Sequence, residues 1–252
     1  MNISTKLLKA AAGSAGAASL DVDEVFSTHV YDGTNAHDHV INNGIDLSGE
    51  GGLVWIKSRD VARNHALYDT ERGVNKYISS NLNSGNTDLS SSSDQGVKAF
   101  NSNGFTVDDN ELVNANDPGL VSWTFRKASK FFDVVTYSGT GSAQSINHSL
   151  GQSPGMIIIK STSNTENWQV WHRSVTGNLE LDNTSAVNSS SIRITAVSST
   201  NFTLGTFNTS NGSGQTYVAY LFAHNNSDGE FGPSGDQDVI KCGSFSTDSS
   251  GN

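Results

Sequence analysis

Cysteine, proline and charged residues are all scarce in this chain of 252 residues. It has 1 cysteine and 3 prolines, and charged residues make up 16% of the sequence. A single thiol, Cys242, cannot form an intramolecular disulfide, so nothing here requires an oxidising compartment. Disordered chains are usually rich in charge and proline. We therefore expect most of the chain to be folded.

Positive charge, long apolar runs and catalytic motifs are also lacking. The formal net charge of −10 argues against sequence-independent binding to nucleic-acid phosphates. No apolar stretch approaches the roughly 20 residues that a membrane-spanning helix needs. The Gly-x-Ser-x-Gly, phosphate-loop and His-Glu-x-x-His motifs are absent, although the two carboxylates of a glycosidase have no fixed spacing. The sequence predicts a protein without enzymatic activity, cofactor, nucleic-acid partner or membrane-inserted segment.

What the sequence does contain is many short apolar segments separated by Gly, Ser, Asn, Asp and Thr, a pattern typical of an all-β fold. Residues 217–222 are apolar at every position, which predicts a strand buried on both faces, within a sandwich or against a neighbouring module. Strands are predicted at 53–56, 105–107, 121–125, 134–137, 156–159, 192–196, 202–207 and 217–222.

An internal repeat organises these strands. Residues 52–58 match 155–161 at an offset of 103, and residues 121–125 match 218–222 at an offset of 97. We predict two tandem β-sandwich modules of jelly-roll or lectin-like type, at 25–130 and 131–235. Asp238-Val239-Ile240 then repeats Asp133-Val134-Val135, so residues 236–252 are predicted either to open a third module or to complete the second module's sheet. Residues 1–24 precede the repeats as an N-terminal arm.

Several segments together carry a family resemblance. They are GGLVWIKSR at 51–59, HALYDTERG at 65–73, NGFTV at 103–107, PGMIIIK at 154–160 and YVAYLFAH at 217–224. Residues 25–252 thereby resemble a repeated domain of marine bacteriophage structural proteins, which is common in cyanophages and Pelagibacter phages. The resemblance implies a location in the virion, other virion proteins as partners, a homo-oligomer and no catalytic residues.

On this basis we expect a fibre-like or tail-associated virion protein whose β modules bind glycans of the host surface. A capsid decoration or adaptor without a host ligand is the first alternative, and a glycan-cleaving tail enzyme is the second. Residues 1–20 lack the uninterrupted apolar run of an export signal. We interpret them as the anchoring arm, with Leu7 and Leu8 packing on another virion subunit.

Comparison of the two copies separates core positions from candidate contact residues. Aromatic residues matched by a large apolar residue in the other copy are expected in the core; they are Trp55, Tyr68, Phe105 and Trp123, with partners Ile158, Trp171, Phe202 and Tyr220. Phe222 is also expected to be buried. Trp168 aligns with His65 instead. It is therefore either an exposed platform for a sugar ring or a tryptophan at the edge of the core.

Two histidines and two groups of carboxylates suggest metal sites. In an extended segment, His37 and His39 would point to the same side, with His29 or Asp32 as a third ligand. Carboxylates suited to Ca²⁺ occur at Asp21, Asp23 and Glu24 and at Asp108, Asp109 and Glu111, without the spacing of a calcium-binding loop. We interpret these residues as solvated loop side chains and predict no metal.

Overall fold

Residues 19–93, 95–116 and 119–246 are described by a computed structural model, and they form an all-β fold, as predicted. The anchoring contacts predicted for Leu7 and Leu8 lie outside these residues. Among the described residues, no helix has the length and apolar character to span a lipid bilayer.

The described residues of the first half of the molecule, 25–130, form nine strands and two short helices. The strands are β1 (Phe26–Tyr31), β2 (His39–Asn42), β3 (Gly52–Ser58), β4 (Ala66–Asp69), β5 (Lys76–Tyr77), β6 (Thr87–Asp88), β7 (Val97–Asn101), β8 (Gly104–Val107) and β9 (Leu120–Arg126), and the helices are α1 (Leu47–Glu50) and α2 (Glu111–Asn114). They form antiparallel sheets of order β1-β9-β3-β4, β2-β8-β7 and β5-β6.

The second half, residues 131–235, repeats this arrangement. Its elements are β10 (Phe132–Ser138), β11 (Gln144–Asn147), β12 (Met156–Ser161), β13 (Gln169–His172), β14 (Leu179–Glu180), β15 (Ile194–Val197), β16 (Asn201–Leu204), α3 (Asn208–Asn211) and β17 (Thr216–Phe222). The sheets have the orders β10-β17-β12-β13-β14 and β11-β16-β15. These orders match the four-stranded and three-stranded sheets of the first half, with β14 added at one edge. Among the described residues, the second half has no counterpart of the separate β5-β6 sheet.

The strand register agrees with the offsets of the sequence repeat. Trp55 on β3 lies opposite Trp123 on β9. Their counterparts, Ile158 on β12 and Tyr220 on β17, also lie opposite each other. The predicted boundary near residue 130 falls between β9 and β10. The jelly-roll or lectin-like type of each module stays a prediction.

The hydrophobic side chains of the described residues form three cores. One core lies between the two main sheets of the first half, and an equivalent core lies within the second half. The third core is shared, because the largest sheets of the two halves both contribute to it. Leu53, Leu67 and Ile78 from the first half meet Phe132, Ile158 and Tyr220 from the second half there. The two halves therefore pack against each other through this core and are not independent modules joined only by a linker.

Strand β17 belongs to two of these cores at once. Its side chains alternate, with Tyr217, Ala219 and Leu221 in the core of the second half and Val218, Tyr220 and Phe222 in the shared core. Successive residues of a strand point to opposite faces, so an apolar residue at every position suits a sheet covered on both sides. The prediction that residues 217–222 are buried on both faces is confirmed.

A buried ion pair crosses the boundary between the halves. The Arg72 side chain is 5% exposed, and its Nε donates to Asp69, which is fully buried, at 2.6 Å. Tyr220 of the second half donates its hydroxyl to the same carboxylate at 2.8 Å. The guanidinium also donates to the Lys76 carbonyl, the Asn86 side chain, the Leu67 carbonyl and the Tyr220 hydroxyl. These bonds match the five N–H donors of an arginine side chain.

Each half contains a Tyr-x-Gly-Thr sequence, at 31–34 and 137–140, which attaches a loop to a short helix. Tyr31 donates its hydroxyl to the Val113 carbonyl, near the end of α2, at 2.7 Å. A Cβ on Gly33 would lie 1.7 Å from the Ala115 carbonyl oxygen, so only glycine fits. The second half repeats both contacts, with Tyr137 on Ser210 and Gly139 on Gly212. The signature therefore satisfies carbonyl groups that a helix end leaves free.

The tail, residues 236–246, packs on the end of the molecule where the halves are joined. Gln237 pairs with Phe231 in an isolated bridge, and the Cys242 Sγ donates to the Ala223 carbonyl at 3.2 Å. Val239 and Ile240 pack against the shared core, but residues 238–246 form no strand. The prediction of a strand at Asp238-Val239-Ile240 is therefore wrong.

Candidate functional site

A cleft of about 470 Å³ lies between the two halves and is lined by both of them. The first half contributes Trp55, His65, Ser80 and Asn81. The second half contributes Leu181, Asp182, Asn183 and Thr184. Small-molecule sites are concave and combine an apolar or aromatic surface with a few fixed polar groups. The cleft has this combination, and we take it as the candidate site.

Trp55 and His65 form a fixed pair on the first-half side. The Trp55 Nε1 lies 2.8 Å from the His65 Nδ1. An indole nitrogen can only donate, so the His65 Nδ1 must accept and the ring proton must sit on Nε2. Burial and the nearby Lys57 ammonium lower the pKa of His65 below its ordinary value of 6.5. His65 is therefore neutral at pH 7 and keeps one N–H donor.

We expect His65 and His37 to titrate on opposite sides of pH 6.5. The pKa of His65 is lowered, whereas a hydrogen bond and charge attraction from Asp108 raise the pKa of His37. At His65 the unfolded chain binds protons more tightly than the folded protein, so this residue makes stability fall as the pH drops below 6.5. Imidazole chemical shifts followed by NMR from pH 8 to pH 4.5 measure both values, and a His65 midpoint above 6.5 would contradict the assigned tautomer.

The second-half side of the cleft is held by backbone contacts to its loop. Asp182 accepts the Trp168 backbone N–H at 3.0 Å, and burial raises the pKa of this carboxyl. The Asn183 side chain donates to Glu180 and accepts the Ser185 N–H at 2.8 Å. These bonds fix the carboxylate and the amide beside the cleft.

Of the two alternatives for Trp168, the structure contradicts the exposed platform and places the residue in the core. Trp168 is 0% exposed, and its indole N–H donates to the carbonyls of Ser79 and Leu82 in the first half, each at 3.0 Å. Its ring stacks on Tyr220 with centroids 6.4 Å apart. Trp168 is thus a contact between the halves, and the packing of one half on the other buries it.

Trp55 is half-buried and lines the cleft, so the expectation that it lies fully in the core is wrong. Trp123 is also only half-buried, whereas the predicted burial of Tyr68, Phe105, Phe202 and Phe222 is confirmed. Sequence comparison placed Trp55 in the core because it aligns with Ile158. The signal that could have identified Trp55 as a cleft residue is the difference in side-chain size between the copies, since tryptophan stands in the first half where isoleucine stands in the second.

The extended segment that would bring His37 and His39 to the same side is not present. Asp38 between them has a φ of 58°, a left-handed conformation, so the segment is not extended. His39 hydrogen-bonds through Nδ1 to the Asn114 Oδ1 at 2.9 Å, whereas His37 contacts Asp108 at 2.5 Å. Asp32 accepts the Gly119 N–H and does not join them.

The internal repeat explains the position of His39. Asn114 binds the loop before β2 through its side chain, and its equivalent Asn211 binds the loop before β11 in the same way. The partner of Asn211 that corresponds to His39 is Gln144, which donates to the Asn211 Oδ1 at 2.7 Å. His39 therefore serves as a hydrogen-bonding side chain of the fold.

His37, Asp108 and Asp109 form a group whose ligand atoms lie within 4.8 Å of one another. The Lys98 ammonium lies 3.2 Å from Asp108 and 2.9 Å from Asp38, so a cation of the protein already occupies this carboxylate. Glu111, the third carboxylate of that segment, pairs with Arg63 at 2.5 Å. We interpret the group as an ion-pair network between loops.

Comparison with known proteins identifies a family for the chain but assigns no activity to it. A family model described as a domain of unknown function (DUF7483) matches residues 21–234. The match covers both halves together. No curated protein matches the chain, and no solved structure matches it either.

Proposed function

The chain belongs to the DUF7483 family, and we propose that it is a phage virion structural protein that binds glycans of the host surface. It would be a fibre-like or tail-associated component, with residues 1–20 as the attachment arm. The resemblance of residues 25–252 to repeated domains of marine phage structural proteins supports the location in the virion. The cleft between the halves supports the binding function.

The observation that carries the proposal is the composition of the cleft. A sugar ring has apolar C–H faces and a rim of hydroxyl groups. The first favours an aromatic surface, and the second needs donors and acceptors that are already held in place. Trp55 supplies the aromatic surface, while His65 and Asp182 supply a donor and an acceptor. Many copies on one particle would add avidity to a weak single contact.

We expect the Trp55→Ala variant to lose at least about tenfold in glycan affinity, corresponding to about 1.4 kcal/mol. Trp55→Phe, which keeps an aromatic ring at this position, should lose less. Binding of purified protein to a glycan array, followed by titration of the best glycan, measures this loss. Circular dichroism of each variant checks that it is folded.

The alternatives predict different results in the same experiments. An adaptor or capsid decoration would be found in purified particles by mass spectrometry but would bind no glycan. A glycan-cleaving enzyme would release products from host polysaccharide, which chromatography detects. Glycan binding that is unchanged in both Trp55 variants would contradict the cleft as the site.

A further inference from the structure

The residues that line the cleft carry a single negative charge. Asp182 is the one carboxylate among them, and none of them is Lys or Arg. His65 adds no charge, because the Trp55 N–H holds it in the neutral form. Two ammonium groups lie near the cleft without lining it. Lys57, near His65, donates to the Ser58 carbonyl at 2.6 Å, and Lys160, near Asp182, is fully buried and donates to the Ser161 carbonyl at 2.8 Å. The residues that line the cleft therefore present one negative charge and otherwise neutral groups.

The polar groups of the cleft suit hydroxyl groups. Asp182 uses Oδ1 to hold the Trp168 N–H, and a carboxylate has acceptor capacity beyond a single bond. The His65 Nε2–H is a donor, and the hydroxyls of Ser80 and Thr184 can both donate and accept. A carboxylate, sulfate or phosphate on the ligand would find no cationic partner among the lining residues.

We propose that the cleft binds an uncharged pyranose and excludes acidic sugars such as uronic and sialic acids. This inference rests on the proposed function and adds the ligand class. The ring packs on Trp55, and its hydroxyls lie between Asp182 and the His65 Nε2–H. The net charge of −10 acts in the same direction, because it repels anionic ligands at a distance.

The test uses the full chain labelled with ¹⁵N, whose 4 tryptophans give few indole N–H signals. Each signal is assigned by Trp→Phe substitution. The probes are methyl β-D-glucopyranoside, methyl β-D-galactopyranoside and N-acetylglucosamine against glucuronic acid and N-acetylneuraminic acid. We expect at least one neutral probe to shift the Trp55 signal at a concentration about tenfold lower than either acid, the effect of one unfavourable charge contact. The Trp168 signal should stay in place.

Asp182→Asn tests the cause of the preference. The asparagine keeps the oxygen that accepts the Trp168 N–H, so an unchanged Trp168 signal reports an intact fold. The acids should then bind within about threefold of the best neutral probe. Asp228→Asn is the matched control. This substitution removes the same charge at a residue that does not line the cleft, so the preference for neutral sugars should be preserved.

The outcomes separate the two proposals. Acids that bind the unaltered protein as tightly as neutral probes overturn the ligand class but leave glycan binding standing. Glycan-array binding without any shift of the Trp55 signal overturns the cleft as the site. The absence of binding to every probe and to the array overturns both proposals.

Discussion

Replacement of Arg72 with methionine is expected to lower the free energy of unfolding by about 3–5 kcal/mol, because it leaves a buried carboxylate without its cation. The Asp69 side chain is 0% exposed. In the variant it would lose the guanidinium and keep the Tyr220 hydroxyl of the second half as its side-chain donor. Methionine fills a similar volume without charge. Urea denaturation followed by fluorescence and circular dichroism measures the loss. The two signals should report one transition, since the halves share a core.

Two further variants test this explanation. Arg72→Met combined with Asp69→Leu removes both charges and should recover most of the loss, because a buried ion pair can be replaced by apolar side chains at little cost. Arg63→Met breaks an ion pair whose glutamate is 70% exposed, and should cost under about 1 kcal/mol. A loss below 1 kcal/mol in Arg72→Met would contradict the structural role assigned to the buried pair.

Phe202→Ala is expected to cost about 3–5 kcal/mol, the range for an emptied aromatic site in a core. Phe202 is 0% exposed in the core of the second half, where its ring meets Tyr137 with centroids 6.3 Å apart. The same change at Phe245, which is 90% exposed, should stay within about 0.5 kcal/mol. Thermal and urea unfolding of both variants measure the contrast. Equal effects at the two positions would rule out burial as the cause.

Much of the architecture could be predicted from the sequence, because the repeat constrains it twice. The offsets of 103 and 97 predict that Trp55 is equivalent to Ile158 and that Trp123 is equivalent to Tyr220. The structure agrees, because Trp55 lies opposite Trp123 in the first half and Ile158 lies opposite Tyr220 in the second. An apolar residue at every position of residues 217–222 predicts a strand covered on both faces. Patterns of this kind depend on neighbouring residues and on the repeat itself. They do not require knowledge of how the halves meet.

The candidate site depends on that packing and could not be predicted. Trp168 is buried because carbonyls of the first half accept its indole N–H, and Trp55 is left at the cleft. The left-handed conformation of Asp38 likewise separates His37 from His39 without an evident sequence signal. Which tryptophan can meet a ligand is therefore a property of the assembled halves.

The tail shows that a repeated sequence does not guarantee a repeated structure. Asp133-Val134-Val135 form part of a strand because β10 pairs with β17. Residues 238–240 repeat that sequence but have no equivalent of β17 to pair with among the described residues. Since strand formation requires a partner, this segment instead packs its apolar side chains on the shared core.

Cys242 makes the attachment of this tail chemically observable. It is the only cysteine of the chain, it is 8% exposed, and burial raises the pKa of its thiol. A thiol-specific reagent attacks the thiolate, so the closed tail suppresses the reaction through both access and protonation. When opening and closing are fast, the alkylation rate is proportional to the population of detached tails. The native chain thus carries an internal reporter of local opening that needs no added label or mutation.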